Sequence, residues 1–127
     1  MFDSRVQVVV RLRPPLLNED NNAKFFQHFN TETNVLRILS KNNSKGKKFQ
    51  MDKLFNPSST QEDIFTSVAR PLADQVLNGY NATMLAYGAT GTGKTHTMIG
   101  EKSVDGKSGG IIPRTLEYII TSSVKDQ

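Results

Sequence analysis

Between residues 6 and 12 apolar side chains fall on every second position. Val6, Val8, Val10 and Leu12 alternate with Gln7, Val9 and Arg11. A period of two is strand geometry, and Val9 on the opposite face points to burial on both sides. Pro14 and Pro15 end the strand, because proline has no N–H to give to a ladder. Short strands are expected again over 35–39 and over 49–55, the second closed by Asn56 and Pro57. The period then changes. Ile64, Phe65, Val68, Ala69, Leu72, Val76 and Leu77 form a stripe at helical spacing over 60–77. Thr60-Gln61-Glu62-Asp63 stands where a capping box belongs, with two carboxylates at the positive end of the helix dipole. Pro71 should kink this helix or remove one of its hydrogen bonds, and Asn78-Gly79 is its stop. Residues 82–87 are a mostly apolar run of buried-strand length. His96 to Ile99 continue as a first helical turn, and an apolar helical pattern resumes over 111–120 with Pro113 near its start. Between them 100–110 is polar and carries Gly106, Gly109 and Gly110, so a helix is interrupted by an insertion.

The remaining stretches are polar or ambiguous. Residues 16–22 read as an Asn-rich surface loop, and Phe25, Phe26 and Phe29 cluster around His28, which reads as a packed or partly exposed side chain rather than a ligand. Residues 41–48 form a turn with four lysines, taken as a solvated hairpin tip rather than a polyanion-binding patch. Arg11 and Arg13 close a strand end, where α/β sheets often hold ligands. By themselves they read as two solvated arginines before a turn rather than as a ligand contact.

Composition narrows the class. At 127 residues the chain is long enough for one domain with a core, and no linker or repeat divides it. There is no cysteine, hence no disulfide framework and no thiolate metal site. No apolar run approaches the ~20 residues of a membrane span, and the first five residues lack the apolar core of a signal peptide. An intracellular, soluble protein is the expectation. The net charge of +4 leans toward acidic partners without naming one.

One stretch carries chemistry. Gly88-Ala89-Thr90-Gly91-Thr92-Gly93-Lys94-Thr95 fits G-x-x-x-x-G-K-[ST]. Gly88 and Gly93 permit backbone angles that a β-carbon penalises, so the loop can curl and turn its N–H groups toward a polyphosphate. The helix that the loop opens onto adds the positive end of its dipole. Lys94 would reach the terminal phosphates as a point charge, and the Thr95 hydroxyl would ligate Mg²⁺.

The flanks make the match specific. Residues 79–98, from Gly-Tyr-Asn through the loop to His-Thr-Met, resemble the phosphate-loop signature of kinesin motor domains. Arg11-Leu12-Arg13-Pro14 resembles the family's R-x-R-P element. Met51 to Phe55 resemble the strand before its long helix, Thr60 to Phe65 the start of that helix, and Gly110 to Arg114 the restart of its split helix. The resemblance implies an α/β P-loop NTPase fold of the kinesin-like motor type. Only its N-terminal portion would be present, with an incomplete central sheet, flanking helices and a motor domain cut short after the split helix. It implies that Arg11, Arg13 and Pro14 line the adenine pocket, that His96 packs on the other side of the base, and that Ala89, Thr90, Gly91 and Thr92 belong to the phosphate cradle with the residues above. ATP or ADP with Mg²⁺ would be the cofactor and the microtubule the partner, in the cytoplasm and on the cytoskeleton, with no membrane and no nucleic acid involved. The chain lacks the aromatic–basic interleaving of single-strand binders. Tyr80 and Tyr87 are left as packing residues. Ala89 stands where many kinesins carry glutamine, which resembles the kinesin-eight type on one residue and leaves the subfamily open.

Neither switch element of the family, N-x-x-S-S-R-S-H or D-L-A-G, occurs in the chain. The resemblance therefore implies nucleotide binding without positioning of an attacking water. It also implies that the strands over 5–12 and 81–87 are not neighbours, a later strand lying between them. The alternative is a stand-alone, non-catalytic nucleotide- or partner-binding fragment.

Overall fold

The computed structural model describes residues 6–16, 28–40, 43–101 and 108–125. They group into two compact units, Met1–Ser58 and Ser59–Gln127. The expectations for residues 17–22, for Phe25 and Phe26, and for the tip of the lysine turn lie outside the described residues.

Among the described residues the first unit has five strands in two sheets. β1 (Val9–Arg11) pairs in parallel with β5 (Lys53–Phe55), while β2 (His28–Asn30), β3 (Val35–Ser40) and β4 (Asn43–Gln50) form an antiparallel sheet. The strand expected over 6–12 is thus shorter, with ladder pairing only over 9–11. The single strand expected over 49–55 is two strands in different sheets, separated by Met51 and Asp52. Much of the lysine-rich stretch is strand rather than turn: β4 runs through it with Lys47 opposite Ile38 and Lys48 opposite Arg37. Between Ile38 and Ser40 the register shifts. Leu12, Leu36 and Leu54 are buried together, with Val10 and Ile38 packed against them.

The corner at Met51 and Asp52 is held by Asn34. This residue takes a left-handed conformation (φ 54°), which asparagine tolerates better than other side chains. Its amide donates to the Asp52 carbonyl at 3.2 Å and its side-chain oxygen accepts from the Leu54 N–H at 3.0 Å. Its own carbonyl accepts from the Met51 N–H at 3.0 Å. One side chain stands in for a missing ladder partner where the chain leaves one sheet and enters the next.

The second unit is helical. Thr60 caps α1 (Gln61–Ile64): its hydroxyl accepts from the Asp63 N–H, and the Asp63 carboxylate accepts from the Thr60 N–H at 2.8 Å. The capping box is the one the sequence indicated. The Thr60 N–H, and after it the Thr60 hydroxyl, which donates to the same carboxylate oxygen at 2.8 Å, hold the Asp63 carboxyl below its ordinary pKa. The helix then widens into a π-helical segment over Phe65–Ala69, closed by the Arg70 N–H bonding to the Phe65 carbonyl, before α2 (Arg70–Leu77). Pro71 explains the widening. It has no N–H to give, and in a regular helix its ring would crowd the carbonyl of Ser67, four residues back. At the other end Gly79 N–H bonds to the Val76 carbonyl and Tyr80 N–H to the Gln75 carbonyl, both at 3.0 Å, a Schellman stop at the expected place.

α3 (Lys94–Met98) and α4 (Ile111–Lys125) are the two halves of the interrupted helix. The insertion is pinched at its base by a bridge between Gly100 and Gly109. A β-carbon on Gly100 would come within 2.2 Å of the Ser108 carbonyl oxygen, so only glycine allows this approach. Ile64, Phe65, Ala69, Ala73 and Ile111 are buried. Tyr118 on α4 ties the helices together. Its hydroxyl donates to Asp74 at 2.5 Å, its ring meets Phe65 edge-on at 6.1 Å, and the Arg70 guanidinium lies 5.2 Å above it.

Two expectations fail here. Residues 82–87 do not form a buried strand: they have no ladder partner among the described residues, and Leu85 and Tyr87 are 88% and 101% exposed. Tyr80 and Tyr87, expected as packing residues, are both exposed. The end of the helical stripe is also open, with Val76 and Leu77 exposed.

Candidate functional site

The phosphate-loop residues lie in the second unit, between the extended run 81–87 and α3. Gly91 and Gly93 take φ of 82° and 94°, a conformation that costs a residue with a β-carbon roughly 1 kcal/mol or more. Gly93 in that conformation is the residue that turns the chain into α3, so Lys94 becomes its first residue. Gly88 is equally constrained by space, since a β-carbon there would meet the Thr92 hydroxyl at 2.6 Å. That hydroxyl donates to the Ala89 carbonyl at 2.7 Å, closing the loop on itself.

Lys94 folds over this loop. Its ammonium donates to the Gly88 carbonyl at 2.8 Å and the Ala89 carbonyl at 2.9 Å. The cation therefore sits at the loop's own mouth, held by neutral acceptors that an anion can replace. Thr90 is exposed beside it, and Thr95 is exposed one residue further along. His96 is half exposed, with its Nδ1 3.6 Å from a Glu101 carboxylate oxygen.

The predicted base-side residues of the N-terminal strand lie in the first unit. Arg11 ends β1 and is half-buried, and burial lowers its pKa from the ordinary arginine value. Arg13 donates to the Pro14 carbonyl at 3.0 Å, and Pro14 is exposed. The structure thus brings Gly88 to His96 together as one continuous stretch. Arg11, Arg13 and Pro14 form a separate group on their own unit.

Sequence reasoning passed over four residues around the loop. Gln61 donates from its side-chain amide to the His96 carbonyl at 2.7 Å. Arg114 donates to the Gly109 carbonyl at 2.8 Å and forms an ion pair with Glu62, so the first turn of α1 also holds the restart of the split helix. Glu101 stands 3.6 Å from the His96 ring. The sequence marks Gln61 and Glu62 as the start of a helix, and nothing local in it marks a side chain that reaches 35 or 52 residues along the chain.

The kinesin motor domain model matches residues 11–127, nearly the whole chain. This chain belongs to the kinesin motor domain family. It is 42% identical over 115 residues to the kinesin heavy chain of Caenorhabditis elegans, covering 90% of this chain and 13% of that protein. It is 34% identical over 117 residues to kinesin-related protein 13 of Dictyostelium discoideum, covering 92% and 9%. Among solved structures it is similar to a fast kinesin described for its ATPase mechanism and interactions with microtubules. That likeness has a TM-score of 0.75 and 37% identity, and covers 91% of this chain and 32% of the other. The fold class is therefore the P-loop NTPase fold of kinesin motors. The chain spans about a tenth of the length of these curated kinesin relatives and about a third of that solved kinesin chain.

Proposed function

We propose that this chain is the ATP-binding N-terminal part of a kinesin-like microtubule motor, a single motor-domain portion over residues 1–127. In the complete motor, ATP hydrolysis would be coupled to movement along microtubules, in the cytoplasm and on the cytoskeleton. The observation that carries the reading is the placement of Lys94. It opens α3 directly after the left-handed Gly93, with its ammonium over the loop carbonyls of Gly88 and Ala89.

The residues present fit a Mg²⁺-nucleotide. A loop too tight for a β-carbon at Gly88, a cation at its mouth and an exposed hydroxyl at Thr95 are the donor set that a polyphosphate and its metal need. Gly88, Ala89, Thr90, Gly91, Thr92 and Gly93 would surround the phosphates. Lys94 would exchange two neutral carbonyls for phosphate oxygens, a stronger charge-assisted bond. Thr95 would offer its hydroxyl to Mg²⁺, which when bound neutralises charge on the phosphates. His96 would face the base, and Arg11, Arg13 and Pro14 would be the adenine-pocket residues that the family resemblance implies. Nothing in the 127 residues corresponds to the switch groups that orient a water, so this chain binds without turnover. Among the described residues no helix is long and apolar enough to cross a membrane, and the reading involves neither membrane nor nucleic acid.

The test is a fluorescent-ADP titration of the chain and of Lys94→Ala. Loss of a charge-assisted contact worth about 1.5–3 kcal/mol should weaken binding roughly 10- to 100-fold. Equal affinity of the two proteins would sink the site assignment. Microtubule-stimulated phosphate release that vanishes in Lys94→Ala would sink the claim that the chain does not turn over.

A further inference from the structure

The split in the helix leaves the His96 carbonyl without its regular partner. In an uninterrupted helix it would accept from the Gly100 N–H. Here α3 stops at Met98, and the Gly100 N–H bonds to the Thr95 carbonyl instead, at 3.2 Å. The donor comes from another helix: the Gln61 side-chain amide reaches the His96 carbonyl at 2.7 Å. A carbonyl can only accept, so it is the amide nitrogen that faces it.

We propose that Gln61 is a positioning residue for the base side of the nucleotide site, acting through His96. The proposal rests on the nucleotide reading above, in which His96 faces the base. Its physical basis is that the two ends of α3 are held by different contacts. At the start, the Thr97 N–H bonds to the Gly93 carbonyl at 2.9 Å and Lys94 bonds to the loop, so the phosphate side is fixed by its own chain. The far end of a five-residue helix has little cooperativity of its own. There Gln61 anchors the His96 backbone, and Glu101 stands 3.6 Å from its ring. Gln61 is itself placed by the Thr60–Asp63 capping box on either side of it. Removing the Gln61 donor therefore loosens His96 while leaving Gly88 to Lys94 as they are.

The experiment compares two probes on the full chain with Mg²⁺: ADP, which has a base, and inorganic pyrophosphate, which has none. The variant is Gln61→Met, which keeps the side chain's length, adds no charge and cannot donate. ADP should bind about three- to tenfold more weakly, the loss of one hydrogen bond, while pyrophosphate affinity stays unchanged. Lys94→Ala should weaken both probes. If Gln61→Met weakens pyrophosphate as much as ADP, Gln61 serves folding alone and the proposal is overturned. If it changes neither, the proposal is likewise overturned and the nucleotide reading stands. If the unaltered chain binds neither probe, the nucleotide reading fails and takes the proposal with it.

Discussion

Tyr118→Phe tests one hydroxyl in the helical unit, which bonds Asp74 and also lies against Arg70. The substitution removes only the hydroxyl that donates to Asp74 at 2.5 Å, and keeps the ring that meets Phe65 edge-on and lies under Arg70. Hydrogen bonds to a charged acceptor contribute about 1.5–3 kcal/mol, against about 1 for neutral pairs. Both Tyr118 and Asp74 are partly exposed, so water can re-solvate the carboxylate when the hydroxyl is gone. That places the loss between the neutral value and the low end of the charged range, about 1–1.5 kcal/mol. Amide hydrogen exchange of α2 and α4 reads it directly, since an opening equilibrium shifted by that much speeds exchange roughly five- to twelvefold. Asp74→Ala should accelerate the same amides by a similar factor. The double variant should be little worse than either alone, because both remove the same bond. Tyr118→Ala should cost more, adding the edge contact with Phe65 at about 0.5–1.5 kcal/mol and the lost packing. Unchanged exchange in Tyr118→Phe, or fully additive losses in the double variant, would refute the claim that this bond joins α4 to α2.

Thr60→Ala should cost about 1 kcal/mol by removing the cap of α1, seen as faster exchange of the first-turn amides. Because the Asp63 carboxyl is held below its ordinary value, the cap contributes fully above the unfolded carboxyl pKa. The contribution fades as pH falls through the lower folded value. Acid titration of helix content should show that step in the unaltered chain and not in Asp63→Asn. Asn34→Gly, which keeps the left-handed backbone but removes both amide contacts, should expose the Leu54 amide to exchange, and a Leu54 amide as protected as before would count against the clasp. The amides of residues 81–87 should exchange without protection, since no ladder covers them among the described residues. Cooperative protection there would show a pairing absent from this structure.

Local chemistry was legible without a fold. The capping box, the Schellman stop at Gly79 and the glycine-led start of α3 each depend on contacts within about six residues, so their residue types announce them. The Gly-rich loop with Lys94 and Thr95 belongs to the same class, because its shape follows from which positions can do without a β-carbon. What needed tertiary structure was pairing. Whether 49–55 is one strand or two turned on Asn34, a turn residue just before β3 that bridges the corner at Asp52. Whether 82–87 becomes a strand depends on a partner, and apolar composition supplies the preference but not the ladder. The widening of the helix before Pro71 shows the two levels meeting. Proline's missing N–H is written in the sequence, but a π-helical segment rather than a simple kink is how the packed helix absorbs it. The contacts of Gln61 with His96 and of Glu62 with Arg114 span 35 and 52 residues, and only a folded chain brings such groups together.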